Sequence, residues 1–188
     1  MEPTRIERYL AHLDRLAPGH EPRFLPIESS NPALKDVIAI TYKDLPEPGL
    51  LTAITYGLSV ADHPEWRLGK PELCISIRSH DERWARAVAF VADRLRGLSS
   101  FAYGETINFG EQISPESTMS AFVVFAPAVL DRGDFLNIDV GDPLPINLQG
   151  MYPIHETERQ WIQEHALEPF WRLEWDPYDV ARPAAMPR

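Results

Sequence analysis

Sulfur chemistry is almost absent, since a single cysteine, Cys74, stands among 188 residues. One thiol cannot close an internal disulfide or furnish a cysteine-based zinc site. Lysine is scarce as well, confined to Lys35, Lys43 and Lys70, so nearly all positive charge is arginine. Eighteen basic side chains against 28 acidic ones leave a net charge of −10. A polyanion would approach a repulsive field, which argues against nucleic acid, whereas a basic protein would be drawn in. Long apolar runs are also missing. No stretch approaches the roughly 18 uninterrupted apolar residues of a membrane helix, and Met1-Glu2-Pro3-Thr4-Arg5 lacks the apolar core of a signal peptide. The expectation is a cytoplasmic protein with no membrane partner.

What is present suits a folded domain: 44% hydrophobic, 10% aromatic and 24% charged residues. The length suffices for one sizeable core. Ile6, Tyr9, Leu10, Leu13 and Leu16 recur at helical spacing, with Thr4 placed to cap a helix over 4–17. Four prolines between 18 and 35 read as an extended connection over the surface. The β-branched run 36–42, the turn Pro46-Glu47-Pro48-Gly49 and the alternating stretch 50–60 suggest a hairpin. In 72–79, Leu73, Ile75 and Ile77 face one way and Cys74, Ser76 and Arg78 the other, so one buried face and one mixed face are expected.

Trp84, Val88, Val91, Ala92 and Leu95 make a helical stripe over 81–96, which Gly97 can end. Residues 119–126 are apolar on both faces and read as a central strand. Two weaker strands, 135–140 and 144–148, follow, and Pro143 and Pro145 place them at an edge. A last helix runs from about Ile154-His155 to Ala166. The three prolines of 176–188 read as a flexible tail after one domain spanning 1–175. The order of elements predicts an α+β fold, an α/β sandwich with helices packed on a mixed, largely antiparallel sheet.

The chemistry-bearing patterns are weak. Ser79-His80-Asp81 has the residue types of a hydrolase triad, but adjacent side chains diverge, and capping of the next helix explains them better. Gly57-Leu58-Ser59-Val60-Ala61 has Ala where a nucleophile elbow needs its second glycine. His155-Glu156 opens like a zinc-protease helix, yet Arg159 stands where the second histidine belongs. The acids from Asp131 to Asp142 miss calcium-loop spacing, and Arg132-Gly133-Asp134 reads as a turn. Cys74 reads as a buried structural thiol. No catalytic, cofactor or metal site is expected.

Several motifs in order carry a family likeness: Thr55-Tyr56-Gly57-Leu58-Ser59, Pro71-Glu72-Leu73, Trp84-Ala85, Gly104-Glu105-x-Ile107, Met119-Ser120-Ala121-Phe122 and Tyr152-Pro153-Ile154 with Glu156 and Glu158. Together they resemble the suppressor of fused-like domain, over about 36–168. The resemblance implies an α/β sandwich and no catalytic centre. The animal namesake holds Gli transcription factors through a second domain and the cleft between the two, and this chain is too short to contain both. Stand-alone bacterial relatives are thought to act as immunity proteins that block secreted polymorphic toxins.

The leading expectation is therefore a non-enzymatic protein-binding domain, a bacterial immunity protein facing a basic toxin domain. Tyr103, Glu105, Phe109, Glu111 and Glu116, in the loop-rich stretch before the central strand, are the candidate partner contacts. One alternative is a hydrolase using Ser59, or His155 with Glu158, brought together by folding. Another is a scaffold that adds a peptide to an exposed sheet edge.

Overall fold

A computed structural model describes residues 2–186. Helix α1 (Arg5–Leu16) starts at Thr4, whose hydroxyl accepts the Glu7 amide while the Glu7 carboxylate accepts the Thr4 amide. This is a reciprocal capping box, and it satisfies two otherwise orphaned donors. Seven strands then build one sheet: β1 (Arg23–Ile27), β2 (Val37–Lys43), β3 (Leu50–Tyr56), β4 (Lys70–Arg78), β5 (Thr106–Asn108), β6 (Ala121–Phe125) and β7 (Ile146–Ile154). Their spatial order is β1-β2-β3-β4-β7-β6-β5. All pairs are antiparallel except β4 with β7, where Lys70 registers with Ile146 and Cys74 with Gly150. Helix α2 (Arg83–Leu95) follows β4, α3 (Arg132–Phe135) is a single turn, and α4 (Glu156–His165) and α5 (Leu167–Trp171) close the chain.

Period-two alternation divides the core between the two faces. Leu51, Ala53, Leu73, Ile75, Ile77, Phe122 and Val124 pack beneath α2 through Trp84, Val88, Val91 and Ala92. On the opposite face Ile40, Ile54, Cys74 and Leu148 meet Tyr9 and Leu13 of α1. Farther along the same face Val123, Tyr152 and Ile154 meet Ile162 and Phe170 of α4 and α5. The result is the α+β sandwich that the order of elements predicts.

Four local expectations are corrected. Residues 23–27 of the supposed connection form edge strand β1, where Pro26 opposite Ile38 is tolerated because one side of an edge strand needs no ladder donors. Residues 135–140 form no strand: Asn137 has a φ of 58°, and only Ile138 bridges Ile146. Residues 146–148 open β7, which is central rather than an edge. Pro143 and Pro145 precede it, and the Pro145 carbonyl accepts the Lys70 amide at 2.8 Å. The outward face of β4 is buried as well, with Cys74 at 3% exposure and Glu72 at 0%.

The supposed tail is also packed. Arg78 donates its amide to the Tyr178 carbonyl at 2.8 Å, and Val180 and Arg182 are buried. Proline content suggested fraying because one apolar residue and one buried ion pair, the contacts that hold the segment, leave no periodic signal. Residues 187–188 of that stretch lie outside the described residues.

Candidate functional site

The Tyr56-Gly57-Leu58-Ser59 stretch is shaped around one wholly buried carboxylate. Strand β3 ends at a corner where Gly57 has a φ of 127°, and a β-carbon there would lie 3.0 Å from the Asp36 carbonyl oxygen. Only glycine adopts this turn without strain. The single turn Leu58–Val60 then points its amides at Glu72. Glu72 Oε1 accepts Gly57 N at 2.8 Å, Ser59 N at 3.0 Å and Ser59 Oγ at 2.6 Å, while Oε2 accepts Thr55 Oγ1 at 2.6 Å. A buried carboxylate is tolerable when its lone pairs are filled in this way.

Helix α1 closes the corner from outside. Arg5 donates to Ser59 Oγ at 2.6 Å and to Asp142 at 2.7 Å, and its guanidinium lies 5.2 Å from the Tyr56 ring centre. Burial acts to lower the Arg5 pKa, but the bonds to Asp142 and Tyr56 outweigh it and raise it. Tyr9 donates to the Thr55 carbonyl at 2.9 Å, and burial together with the negative field of Glu72 pushes its hydroxyl well up.

A second buried clasp secures the segment 29–36. Arg96 and Asp93 pair at 2.9 Å with both side chains 2% exposed. Arg96 Nη1 donates to the Lys35 carbonyl at 2.9 Å and to the Gly57 carbonyl at 3.3 Å, and Asp93 accepts the Ser30 amide at 3.0 Å. Between the two clasps lies a groove of about 760 Å³, lined by Ile6, Leu34, Lys35, Ile38, Tyr56 and Val60. It opens on the α1 side of the sheet. Its lining is mostly apolar, with Lys35 and Asp36 as its charged members, so it can seat an apolar side chain of a partner.

The five residues expected to touch a partner do not form one surface. Tyr103, 48% exposed, packs on Phe125, whereas Phe109, beyond β5, packs on Phe90 and Phe122. Phe122 and Phe125 belong to opposite faces of β6. Glu105 is engaged by Ser99 and Ser100, and Glu116 accepts Trp84 Nε1 at 2.8 Å together with the Ser79 hydroxyl. Glu111 is exposed.

Folding does not assemble the hydrolase parts either. Ser59 is bound to Glu72, whose neighbouring strand position Glu72↔Leu148 lies seven residues before His155. At roughly 3.3 Å per strand residue this is about 23 Å along β7. His155 instead caps α4, donating its amide to Glu158 at 2.8 Å. Glu158 is saturated by Arg182, at 2.5 and 3.0 Å, and by the Ala185 amide at 2.6 Å. Ser79 and Asp81 cap the chain into α2: Ser79 Oγ accepts the Asp81 amide at 2.9 Å and Asp81 accepts the Arg83 amide at 3.0 Å. Cys74 is buried, which pushes its thiol up to about 12. Among the described residues no three His, Cys, Asp or Glu side chains gather to hold a metal.

Residue-by-residue reading missed the roles of Glu72, Arg96 and Arg182. Glu72 carried the only available signal, an acid between apolar neighbours inside a strand.

The sequence model described as Suppressor of fused protein matches residues 34–183. No curated protein matches the chain. Three solved structures share the fold. The suppressor of fused homologue from Neisseria gonorrhoeae FA 1090 is 18% identical with a TM-score of 0.77, over 96% of both chains. The structure of the Sufu–Fu complex is 13% identical with a TM-score of 0.61, over 88% of this chain and 81% of that one. Drosophila Suppressor of Fused is 13% identical with a TM-score of 0.64, over 97% of this chain but 51% of that one.

Proposed function

The chain belongs to the suppressor of fused family, and on that premise we propose that it is a non-enzymatic protein-binding domain, a cytoplasmic bacterial immunity protein that neutralises a cognate toxin by direct binding. The observation that carries this reading is the groove beside Gly57. Its walls are tied to the sheet by Glu72 and by the Arg96–Asp93 pair, so the apolar lining is ordered before a partner arrives. Such preorganisation removes part of the entropy cost of association. Ile6 and Val60, 37% and 39% exposed, stand in that lining where an incoming apolar side chain would cover them.

The net charge of −10 supports a basic partner, because a long-range attractive field raises the encounter rate. Tyr103 and Glu111 are exposed and serve as further candidate contacts, and Phe109 is half-buried. Glu116, exposed while it accepts Trp84 Nε1, and half-buried Glu105 stay among the proposed contacts and also hold their loops. The Sufu–Fu complex shows a protein of this fold with a protein partner, and a partner of the same class is proposed here.

Co-expression with a toxic domain encoded by the neighbouring gene tests the reading. Growth is expected to be restored, and the two proteins to purify together. Protection that survives His155→Ala and Ser59→Ala in proportion to soluble protein would remove the hydrolase alternative. Failure to restore growth and failure to form a complex would overturn the pairing.

A further inference from the structure

Helix α2 has an exposed side of one chemical character. Four of its residues are exposed: Arg83, Arg86, Phe90 and Arg94. They are spaced three, four and four residues apart, which aligns them along one stripe. Leu98, 75% exposed, continues it just past the helix end. No acid interrupts the stripe, because Asp93 points inward to Arg96.

The charges are poorly neutralised within the molecule. Arg83 lies 3.5 Å from Asp81, and the nearby Glu82 is taken by Arg23 at 2.8 Å. Among the described residues Arg86 and Arg94 form no ion pair. Arg94 instead sits over the Phe90 ring, 5.4 Å from its centre, and Phe109 meets Phe90 edge-on at 6.0 Å.

Helix stability accounts for Arg94, which lies in the last turn, but not for the two arginines at the other end. Arg83 and Arg86 lie in and next to the first turn, where the helix dipole disfavours cations, and they are like charges three residues apart. A solvated helix face in so acidic a chain would gain from Glu and Lys at these positions. An unfavourable local choice beside a 43% exposed phenylalanine is the mark of a surface shaped by a partner.

We propose that the Arg83–Arg86–Phe90–Arg94 face of α2 is a docking surface for an acidic protein segment carrying an apolar anchor residue. The arginines pair with carboxylates in bidentate geometry, and Phe90 with Phe109 receives the apolar side chain. The charge of this face is opposite to that of the whole chain, so the segment is held locally against a general repulsion. Salt screens this long-range repulsion more strongly than it weakens the pairing at contact range. The face lies across the sheet from the groove, and the proposal does not rest on the toxin reading.

The test is fluorescence anisotropy with three labelled probes: a 16-residue peptide of Glu, Asp, Leu and Phe, the same peptide with Lys for its acids, and a 16-nucleotide oligo-dT. The wild-type chain is expected to bind the acidic peptide more tightly than the other two. Arg86→Glu with Arg94→Glu is expected to weaken it about tenfold or more, and Phe90→Ala about threefold or more, ranges typical of charged and aromatic anchors. Melting temperatures unchanged by these exposed substitutions exclude a folding effect. Absence of acidic-peptide binding, equal binding by the charge-reversed variant, or tighter binding of oligo-dT would overturn the proposal. So would self-association of the wild type that the same substitutions abolish, since a second copy would then be the occupant.

Discussion

Ser59 Oγ donates to Glu72 Oε1 across 2.6 Å, with both residues buried, so the serine that the hydrolase alternative singles out is a structural donor. Glu72→Gln keeps the size of the side chain but replaces one carboxylate oxygen by an amide NH2, which then faces a donor in either orientation: Thr55 Oγ1 on one side, or Gly57 N and Ser59 on the other. The expected loss is about 2–4 kcal/mol, from unmatched buried donors and the lost charge-assisted bonds. Urea unfolding would show it, and thermal unfolding should show a fall in melting temperature of about 4–16 °C for a domain of this size.

Gly57→Ala tests the same corner through the backbone. A β-carbon there meets the Asp36 carbonyl at 3.0 Å while φ stays at 127°. The variant is expected to lose about 2 kcal/mol or more. Equal stability of Ala and Gly at this position would show that the corner is not strained.

At the other end of β7, Arg182 and Glu158 form a buried pair with side chains 5% and 0% exposed, and Arg182 also lies 4.6 Å from the Trp175 ring centre. Removing either partner leaves an uncompensated charge, which costs about 3–5 kcal/mol, whereas removing both costs less than the two losses added together. A double-mutant cycle measures the difference. Limited proteolysis of Arg182→Ala should also cut in 176–186 before the core opens.

Cys74 and Tyr42 set the alkaline limit. Burial raises the Cys74 thiol to about 12 and the Tyr42 hydroxyl to about 12. Both groups are held neutral in the folded chain and ionise more easily once unfolded. The Cys74 contribution is complete below about pH 8.5 and that of Tyr42 below about pH 10, and each falls by roughly 1.4 kcal/mol per pH unit from there toward 12. Unfolding free energies between pH 7 and 11 should bend downward, and Cys74→Ala should remove the earlier part of the bend. Ellman's reagent should react with Cys74 at pH 8 only in denaturant.

The layers of this fold were legible because periodicity marks burial. The Trp84–Leu95 stripe, the two-sided run 121–125 and the Thr4 cap each state their environment locally. Strand β7 was misread because Pro143 and Pro145, which suggested an edge, lie just before the ladder, and its parallel partner, β4, is some 75 residues away in sequence. Of the clasps, only Glu72 left a local trace, an acid inside an apolar strand, and none showed its partners. Glu72 with Thr55, Arg96 with the Gly57 carbonyl and Arg182 with Glu158 pair residues far apart in sequence, and a lone polar residue carries no period to announce its partner. The candidate contacts 103–116 were chosen for being loop-rich, and their local bonds are not legible in that pattern: the Glu105 carboxylate is engaged by Ser99 and Ser100, and that of exposed Glu116 by Trp84 and Ser79.

Titration calorimetry of the purified chain with a catalytically inactive form of the cognate toxin proposed as its partner tests the central claim most directly. The account predicts a one-to-one complex that Val60→Asp, at the 39% exposed lining of the groove, weakens about tenfold or more without lowering the melting temperature. No heat of binding, or equal affinity of the Val60→Asp variant, would contradict it.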